Sequence, residues 1–351
     1  MSGSTVPVGD DEVTARAVGA FIAEAAGADE VEIGAISRLA GGAVQENYAL
    51  DARIVGGGHH GEHQLVLRTD APSAVATSLP RATEFAVLQA AFEAGVKVPE
   101  PLWSCDDRAL IGRPFYLMRR LPGVAAGHRL VRDRALDPRR DALLSSVGAE
   151  LARIHRIRPP WPGLEELEES PPVPALARVE ELRAHLDRMG TAQPVLEWGL
   201  RWLERHPPPI EEIVLTHGDY RTGNYLVHDG TLSGVLDWEF ARFGDAYEDL
   251  GWLCARCWRF GRLDREAGGM GDREPFYRGY EAVAGRPVDR HRVAYFEVLA
   301  AVRWAVIALM QADRHLRGEQ SSLELALTGR MVPEMELDVL LELDAIRTGA
   351  R

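Results

Sequence analysis

The sequence predicts an α+β protein in which a small lobe of strands plus one helix precedes a larger, mainly helical lobe. A chain of 351 residues with 46% hydrophobic content exceeds the usual size of one core, so two lobes are expected. Alternating apolar runs are concentrated in the first 120 residues, and helical periodicity dominates afterwards. The predicted lobes are therefore residues 1–120 and 121–351.

The elements of the small lobe follow from local patterns. A first helix is predicted from Asp10 to Ala26, because Val18 and Ile22 share an apolar face with their neighbours. Glycine-rich residues separate two of the three strand-like runs that follow, which indicates a hairpin; the runs are "VEIGAISRLA", "NYALDARIV" and "HQLVLRTD". A second helix should begin near Pro80 and end at Gly95, with Phe85, Leu88 and Phe92 on one face. Two short strands, "VPEPLWSCD" and "RPFYLMRR", complete the lobe.

Composition limits the class of protein and its partners. Three cysteines are too few, and of the wrong parity, for a disulfide framework, so a reducing, cytoplasmic location is predicted. The first residues lack the pattern of a signal peptide. The apolar stretch from Val298 to Met310 contains Arg303, which favours a buried helix over a membrane span. A net charge of -13 argues against a nucleic-acid partner, and the oligomeric state is left open.

The segment "LTHGDYRTGN", followed by "YLVHDGTLSGVLDWE", carries the chemistry. Asp229-Gly230 between two alternating runs predicts a two-residue hairpin turn. The resulting register would make Asn224 and Asp237 diagonal neighbours, roughly 7 Å apart, with Asp219 in the loop that leads into the hairpin. Amide and carboxylate oxygens suit Mg²⁺, and a carboxylate that is not needed as a ligand can act as a base. The alternative is a hairpin in which these residues only form Asx-turns.

The arrangement "HGDYRTGN", with "DWE" placing Asp237 thirteen positions after Asn224, resembles the aminoglycoside phosphotransferase and choline kinase-like family, which shares the protein-kinase fold. The resemblance implies a two-lobed kinase-like fold, with Asp219 as the catalytic residue and Asn224 and Asp237 as metal ligands for Mg²⁺. It extends from about Ile33 to about Met310. On "RLAGGAVQENYAL", "LVLRTD" and "PFYLMRRLPG", the chain is most similar to the branch related to kinase-like domains fused to some acyl-CoA dehydrogenases.

The same resemblance implies a nucleotide site in the small lobe. Two glycines in "AGGAVQEN" occupy the place of a phosphate-covering loop, although the spacing is not G-x-G-x-x-G. Arg68 stands where the fold uses a lysine for the phosphates, and the single lysine of the chain, Lys97, lies elsewhere. Glu84 is the expected partner carboxylate of Arg68. The alternative is that Arg68 and Glu84 are only exposed residues of a strand and a helix. The implied cofactor-binding residues are Gly41, Gly42, Arg68, Glu84 and Met118.

These roles imply a small-molecule kinase that transfers the γ-phosphate of ATP or GTP to a hydroxyl of a small acceptor. Asp219 would take the hydroxyl proton, Arg221 would contact the transferring phosphate, and His217 would brace the loop by hydrogen bonds. Aminoglycoside and hydroxyacyl-type acceptors both stay open. The acidic run "LEELEES" suits the first but is more typical of a solvated loop. The aromatic "WLCARCWRF" suits the second, and core packing is the alternative for the same residues. The alternative from another class is a non-catalytic nucleotide-binding protein.

Four polar residues near these motifs are ambiguous from sequence. Asp245 is interpreted as a helix cap and His155 as a structural residue of a core helix. Asp249 and Glu239 allow either a structural or a functional interpretation, and Glu239 could reach the metal through water.

Overall fold

The computed structural model describes residues 11–39, 45–71 and 78–349, with the side chains of residues 11–13 excepted. The chain divides into two compact units. The first unit comprises Met1–Pro122 and two short later segments, Pro162–Glu166 and Ser233–Phe240. The second unit comprises Gly123–Trp161, Leu167–Leu232 and Ala241–Arg351. The predicted division at residue 120 assigns the two short segments to the second lobe, whereas their contacts group them with the first.

The first unit contains a five-stranded antiparallel sheet with the strand order β1-β2-β3-β5-β4. Its strands are β1 (Glu30–Arg38), β2 (Gln45–Val55), β3 (Gly61–Asp70), β4 (Pro101–Cys105) and β5 (Phe115–Arg119). Its helices are α1 (Asp11–Ala26), α2 (Arg81–Glu93) and α3 (Arg108–Ile111). The predicted strands, the β2–β3 hairpin and both longer helices are confirmed.

The core of this unit lies between α1 and the sheet. Val18 and Ile22, one helical turn apart, are completely buried against alternate residues of β2 and β3. Burial of these branched side chains removes apolar surface from water and fixes the register of the hairpin. The predicted face of α2 is correct for Phe85 and Leu88 but wrong for Phe92, which is 44% exposed in the last turn of the helix.

The second unit is mainly helical. Its helices are α4 (Gly127–Arg132), α5 (Arg140–Ile154), α6 (Pro174–Met189), α7 (Pro194–Arg205), α8 (Tyr247–Cys254), α9 (Arg273–Ala284), α10 (Arg290–Leu316), α11 (Leu323–Arg330) and α12 (Val332–Thr348). α10 is long and apolar enough to cross a membrane by length and composition, but 72% of its apolar window is buried inside the protein. The predicted buried helix at Val298 to Met310 is confirmed, and burial in a helical core explains its composition.

Two small sheets position the motif segment. β6 (Ile213–Thr216) pairs antiparallel with β9 (Arg242–Asp245), and the N–H of Leu215 also donates to the carbonyl of Ile157 at 2.8 Å. β7 (Tyr225–His228) and β8 (Thr231–Val235) form the predicted hairpin. Its turn residues have φ values of 48° at Asp229 and 74° at Gly230, as a type I′ turn requires. β6 and β7 therefore fix the two ends of the segment that connects them, residues 217–224.

Candidate active site

Residues 217–224, here called the aspartate loop, connect β6 to β7 and are organised by one buried carboxylate. Asp249 on α8 accepts hydrogen bonds from two consecutive backbone N–H groups, His217 N at 2.7 Å and Gly218 N at 2.9 Å. Gly218 has a φ of 79°, a conformation that favours glycine. Asp249 therefore turns the chain sharply just before Asp219.

The carboxylate of Asp219 is the centre of the loop and accepts hydrogen bonds from three side chains. The indole Nε1 of Trp252 lies 2.6 Å from Oδ1, and Nδ2 of Asn224 lies 2.6 Å from Oδ2. The Nε atom of Arg221 lies 3.0 Å from Oδ1 and 3.1 Å from Oδ2. Hydrogen bonds to the charged form stabilise a carboxylate and hold its plane in one orientation.

The amide of Asn224 also has a defined orientation. Its Nδ2 donates to both the backbone carbonyl of Asp219, at 2.9 Å, and its carboxylate. The amide oxygen therefore remains as the acceptor atom of this side chain. The alternative in which Asn224 only forms an Asx-turn does not explain a side chain that bonds to the predicted catalytic residue.

His217 lies in the same loop and is fully buried. Its Nδ1 accepts a hydrogen bond from the backbone N–H of Asp219 at 3.3 Å, and its ring packs edge-on against Tyr220. This geometry is that of the brace expected from the sequence. The structure thus brings His217, Asp219, Arg221 and Asn224 together in one loop.

Three aromatic side chains, Trp252, Trp258 and Trp304, pack beside the loop and are called the tryptophan cluster. Neighbouring ring centroids are separated by 5.2 Å and 4.8 Å. The guanidinium of Arg221 lies 4.3 Å above Trp258, and that of Arg303 lies 4.3 Å above Trp252. Arg303 also donates to the carbonyl of Gly218 at 2.9 Å. The aromatic region is visible in the sequence, but the contact of Trp252 with Asp219 is not, because no local pattern reveals it.

The ambiguous residues of this unit have structural partners. Asp249 is 1% exposed, and its Oδ2 lies 3.2 Å from Nε2 of His155. Burial alone raises the pKa of Asp249, but the hydrogen bond and charge of His155, with those of His217, lower it below its usual value. His155 also contacts the hydroxyl of Tyr280 at 2.9 Å, as a structural residue would. Asp245 accepts from the N–H of Tyr247 at 2.9 Å near the start of α8, but the N-cap position belongs to Ala246, so Asp245 lies one residue before the predicted place.

A second charged group lies in the first unit and is called the arginine cluster; its members are Arg68, Arg81, Glu84 and Asp237. Nη2 of Arg68 lies 2.9 Å from Glu84 Oε1 and 2.5 Å from Asp237 Oδ1. The side chain of Arg68 is 7% exposed and that of Glu84 is fully buried. The alternative that these two residues are exposed on the surface is therefore wrong.

Glu84 is shared between two arginines. Arg81, one turn earlier on α2, donates to Glu84 Oε2, and its Nε lies 3.0 Å from Asp70 Oδ1 at the end of β3. Burial alone lowers the pKa of Arg68, but the carboxylates of Glu84 and Asp237 raise it well above its usual value. The guanidinium of Arg68 is therefore held as a cation in a buried place by these carboxylates.

The "DWE" segment does not continue the hairpin. β8 ends at Val235, and Asp237 has a left-handed backbone with a φ of 72°. Asn224 and Asp237 would share a face only if both lay in regular strands, and neither residue does. Their proximity stays a prediction. Left-handed backbone at a residue other than glycine is uncommon and clusters at functional sites.

Glu239 follows in the same segment and is buried. It accepts from Gln45 Nε2 at 3.1 Å and from Ser78 Oγ at 2.8 Å. Burial raises the pKa of Glu239, and the neighbouring charge of Asp237 adds to that effect. The role of Glu239 as a water-mediated metal contact stays a prediction.

The remaining predicted residues are placed only in part. Met118 lies on β5 opposite Val66 of β3 and is 9% exposed, and its nucleotide contact stays a prediction. Gly41 and Gly42 lie outside the residues that the structure describes.

The fold and the charged groups together define a protein-kinase-like phosphotransferase. Residues 35–296 match the family of phosphotransferase enzymes, and the chain belongs to that family. It is 29% identical over 297 residues to mouse acyl-CoA dehydrogenase family member 10. The aligned region covers 78% of this chain but only 27% of the mouse protein. The chain therefore spans about a quarter of the length of that relative. The predicted family is confirmed.

Solved structures confirm the predicted fold. A Ralstonia eutropha JMP134 protein named for the aminoglycoside phosphotransferases superposes with a TM-score of 0.74 at 21% identity, over 93% of this chain and 97% of that one. A thermostable mutant of an aminoglycoside phosphotransferase, in a ternary complex with ADP and hygromycin B, gives a TM-score of 0.57 at 16% identity. It covers 92% of this chain and 98% of that chain.

Proposed function

We propose that this protein is a Mg²⁺-dependent kinase that transfers the γ-phosphate of ATP or GTP to a hydroxyl group of a small acceptor. The observation that carries the proposal is the Asp219 carboxylate, oriented by Trp252, Asn224 and Arg221 in a loop held by Asp249. Membership of the phosphotransferase family supports it, as does the nucleotide bound by a structural neighbour.

Asp219 would orient the acceptor hydroxyl and accept its proton. Its two oxygens accept hydrogen bonds from donors of two kinds. Trp252 and Asn224 supply neutral N–H groups, and the Nε–H of the charged Arg221 is shared between both oxygens. Arg221 makes the longer contacts and is 24% exposed, so it is the donor that would turn towards the transferring phosphoryl group. That movement would free the carboxylate for the acceptor and add a positive charge where charge develops.

The residues fit Mg²⁺ by the chemistry of their oxygen donors, an amide oxygen and a carboxylate. Asn224 keeps its amide oxygen because its nitrogen serves Asp219, and the Asp237 carboxylate is 28% exposed in a left-handed turn. Bound Mg²⁺ would neutralise phosphate charge, and it typically takes one or two carboxylates with substrate oxygens. We propose Asn224 and Asp237 as its protein ligands.

Arg68 would hold the nucleotide phosphates in place of the usual lysine. A guanidinium can bind two phosphate oxygens with parallel hydrogen bonds. Glu84 would keep Arg68 oriented, because its Oε1 lies 2.9 Å from the Arg68 Nη2. We retain Gly41, Gly42 and Met118 as proposed nucleotide contacts.

The acceptor is proposed to be a hydroxylated molecule with an apolar part rather than an aminoglycoside. Beside Asp219 the second unit places the cations Arg221 and Arg303, stacked on the mostly buried tryptophan cluster, and two positive charges do not suit a polycation. The acidic run "LEELEES" buries its two leucines and exposes its glutamates, so it is a solvated surface segment. A hydroxyacyl-type acceptor agrees with these charges.

A transfer screen tests the proposal. Purified protein is incubated with MgATP or MgGTP labelled in the γ-phosphate and a panel of hydroxy acids, hydroxyacyl thioesters, amino alcohols and aminoglycosides. We expect Mg²⁺-dependent label transfer to hydroxyacyl compounds, absent from the Asp219→Asn variant. Nucleotide binding without transfer to any acceptor or to water would instead support the non-catalytic alternative.

A further inference from the structure

The indole of Trp252 contacts the proposed base, Asp219, directly. Trp252 itself is proposed to bind neither nucleotide nor metal. Trp252 lies on α8 and is 3% exposed. Its Nε1 donates to Asp219 Oδ1 at 2.6 Å, as short as any other contact to this carboxylate. An indole N–H is a donor only, so Oδ1 is the acceptor and this hydrogen bond fixes its direction.

Arg303 holds the indole from its other side. The guanidinium lies 4.3 Å from the centroid of the Trp252 ring, and its Nη2 donates to the carbonyl of Gly218 at 2.9 Å. A cation over an indole face is attracted by the ring quadrupole. One side chain of α10 thus contacts both the ring that bonds to Asp219 and the backbone that precedes Asp219.

The three donors to Asp219 differ in what else they are proposed to do. Arg221 would turn to the phosphoryl group and Asn224 would share its amide with Mg²⁺, so both change partners during a turnover. Trp252 is a neutral donor packed in the tryptophan cluster, and it is proposed to bind neither the phosphoryl group nor Mg²⁺.

We propose that Trp252, held by Arg303, is a positioning residue that keeps the Asp219 carboxylate oriented towards the acceptor hydroxyl. This role rests on the proposed function of Asp219. It acts on transfer and not on nucleotide binding, because Trp252 contacts the base and no proposed nucleotide ligand.

The test is Trp252→Phe, which removes the N–H and keeps an aromatic ring. The kcat of Mg²⁺-dependent ATP hydrolysis, with water as acceptor, should fall about ten- to a hundredfold, as for the loss of a hydrogen bond to a charged group. The KM for MgATP should stay within about twofold, since only a step after binding is affected. Trp202→Phe is the matched control: it makes the same change at a ring of α7 that packs against Tyr295 of α10, outside the tryptophan cluster, and should leave kcat within about twofold.

A spectroscopic measurement tests the contact without a Trp252 variant. The chain contains eight tryptophans, and ¹⁵N labelling of their indoles gives one N–H signal for each. The signal displaced by Arg303→Lys identifies Trp252, and Asp219→Asn should move the same signal upfield because the acceptor loses its charge. Absence of that movement overturns the proposal even if Trp252→Phe fails to fold.

The outcomes separate this role from the function on which it rests. Hydrolysis that is lost in Asp219→Asn but unchanged in Trp252→Phe overturns the positioning role alone. No hydrolysis or transfer by the parent enzyme overturns the proposed function and this role with it. An equal loss of kcat in Trp252→Phe and Trp202→Phe assigns the effect to packing and also overturns the proposal.

Discussion

The arginine cluster and the aspartate loop differ in the charge of their central residue. In the first, a buried cation, Arg68, is surrounded by the carboxylates of Glu84 and Asp237. In the second, an anion, Asp219, is surrounded by donors, two of them the neutral N–H groups of Trp252 and Asn224. Arg68 therefore has partners of opposite charge, whereas two of the three side chains that donate to Asp219 are neutral.

The difference lies in how easily each set of partners can be exchanged. Carboxylate and phosphate oxygens both fit the donors of a guanidinium, so a phosphate can replace a carboxylate beside Arg68. Hydrogen bonds from an indole and an amide depend on direction, so they fix the carboxylate plane of Asp219. The arginine cluster suits binding of an anion, and the aspartate loop suits a reaction that requires exact placement.

The largest expected effect separates the two regions by function. Asp219→Asn should reduce transfer about 100- to 10,000-fold while nucleotide affinity is retained, because the base acts on the acceptor. Asp237→Ala should instead abolish the Mg²⁺ dependence of nucleotide binding, measured by calorimetry with and without the metal.

The control for Asp219→Asn is the same substitution at Asp229, which is 88% exposed in the hairpin turn and should leave turnover unchanged. Asp219→Asn with turnover within a few-fold of the parent would refute the role of the base. Unchanged metal dependence in Asp237→Ala would refute its role as a ligand.

Arg68 is expected to give the next largest effect. Arg68→Ala should weaken triphosphate binding about ten- to a hundredfold and nucleoside binding far less, because only the phosphates interact with the lost charge. Arg68→Lys should recover part of the affinity, since one ammonium cannot reproduce the forked guanidinium between Glu84 and the ligand. Calorimetric titration with ATP and adenosine measures both.

Arg53→Ala provides a matched control on the neighbouring strand, because the Arg53 side chain is 64% exposed. If the Arg68 and Arg53 variants bind ATP equally well, another cation holds the phosphates.

Asp249 tests whether the rigidity of the aspartate loop depends on one side chain. Asp249→Asn replaces one oxygen acceptor by a donor that faces a backbone N–H, which should cost about 2 kcal/mol of unfolding free energy. Urea unfolding at pH 7 measures the change, and Asp187→Asn on the exposed side of α6 should change it by less than about 0.5 kcal/mol. Equal stability of both variants would show that the loop is held by other contacts.

The smallest expected effect is the pH dependence of that difference. The pKa of Asp249 is lowered in the folded protein from an ordinary value of 3.8, so its stabilising contribution is complete above that value. It is lost only as the pH falls through the lower folded value. The difference in unfolding free energy between the parent and Asp249→Asn should therefore be constant from pH 7 to pH 5 and shrink below 3.8. A difference that shrinks already between pH 7 and pH 5 would contradict the assignment.

Local sequence determined most of the fold and the identity of the motif residues. Alternation predicted the strands of the sheet, Asp229-Gly230 predicted the hairpin turn, and Pro80 and Gly95 predicted the ends of α2. These succeed because turn chemistry and apolar periodicity act between residues a few positions apart. The spacing of Asp219, Asn224 and Asp237 identified the family for the same reason.

Tertiary structure alone decided the partners of those residues. The 169 positions between Arg68 and Asp237, and the 33 between Asp219 and Trp252, carry no local pattern that would predict an ion pair or a hydrogen bond. The left-handed backbone of Asp237 likewise depends on surroundings that a strand pattern cannot describe. Long-range contacts are selected by the packing of the whole chain, so the electrostatics of both charged groups could be determined only from the structure.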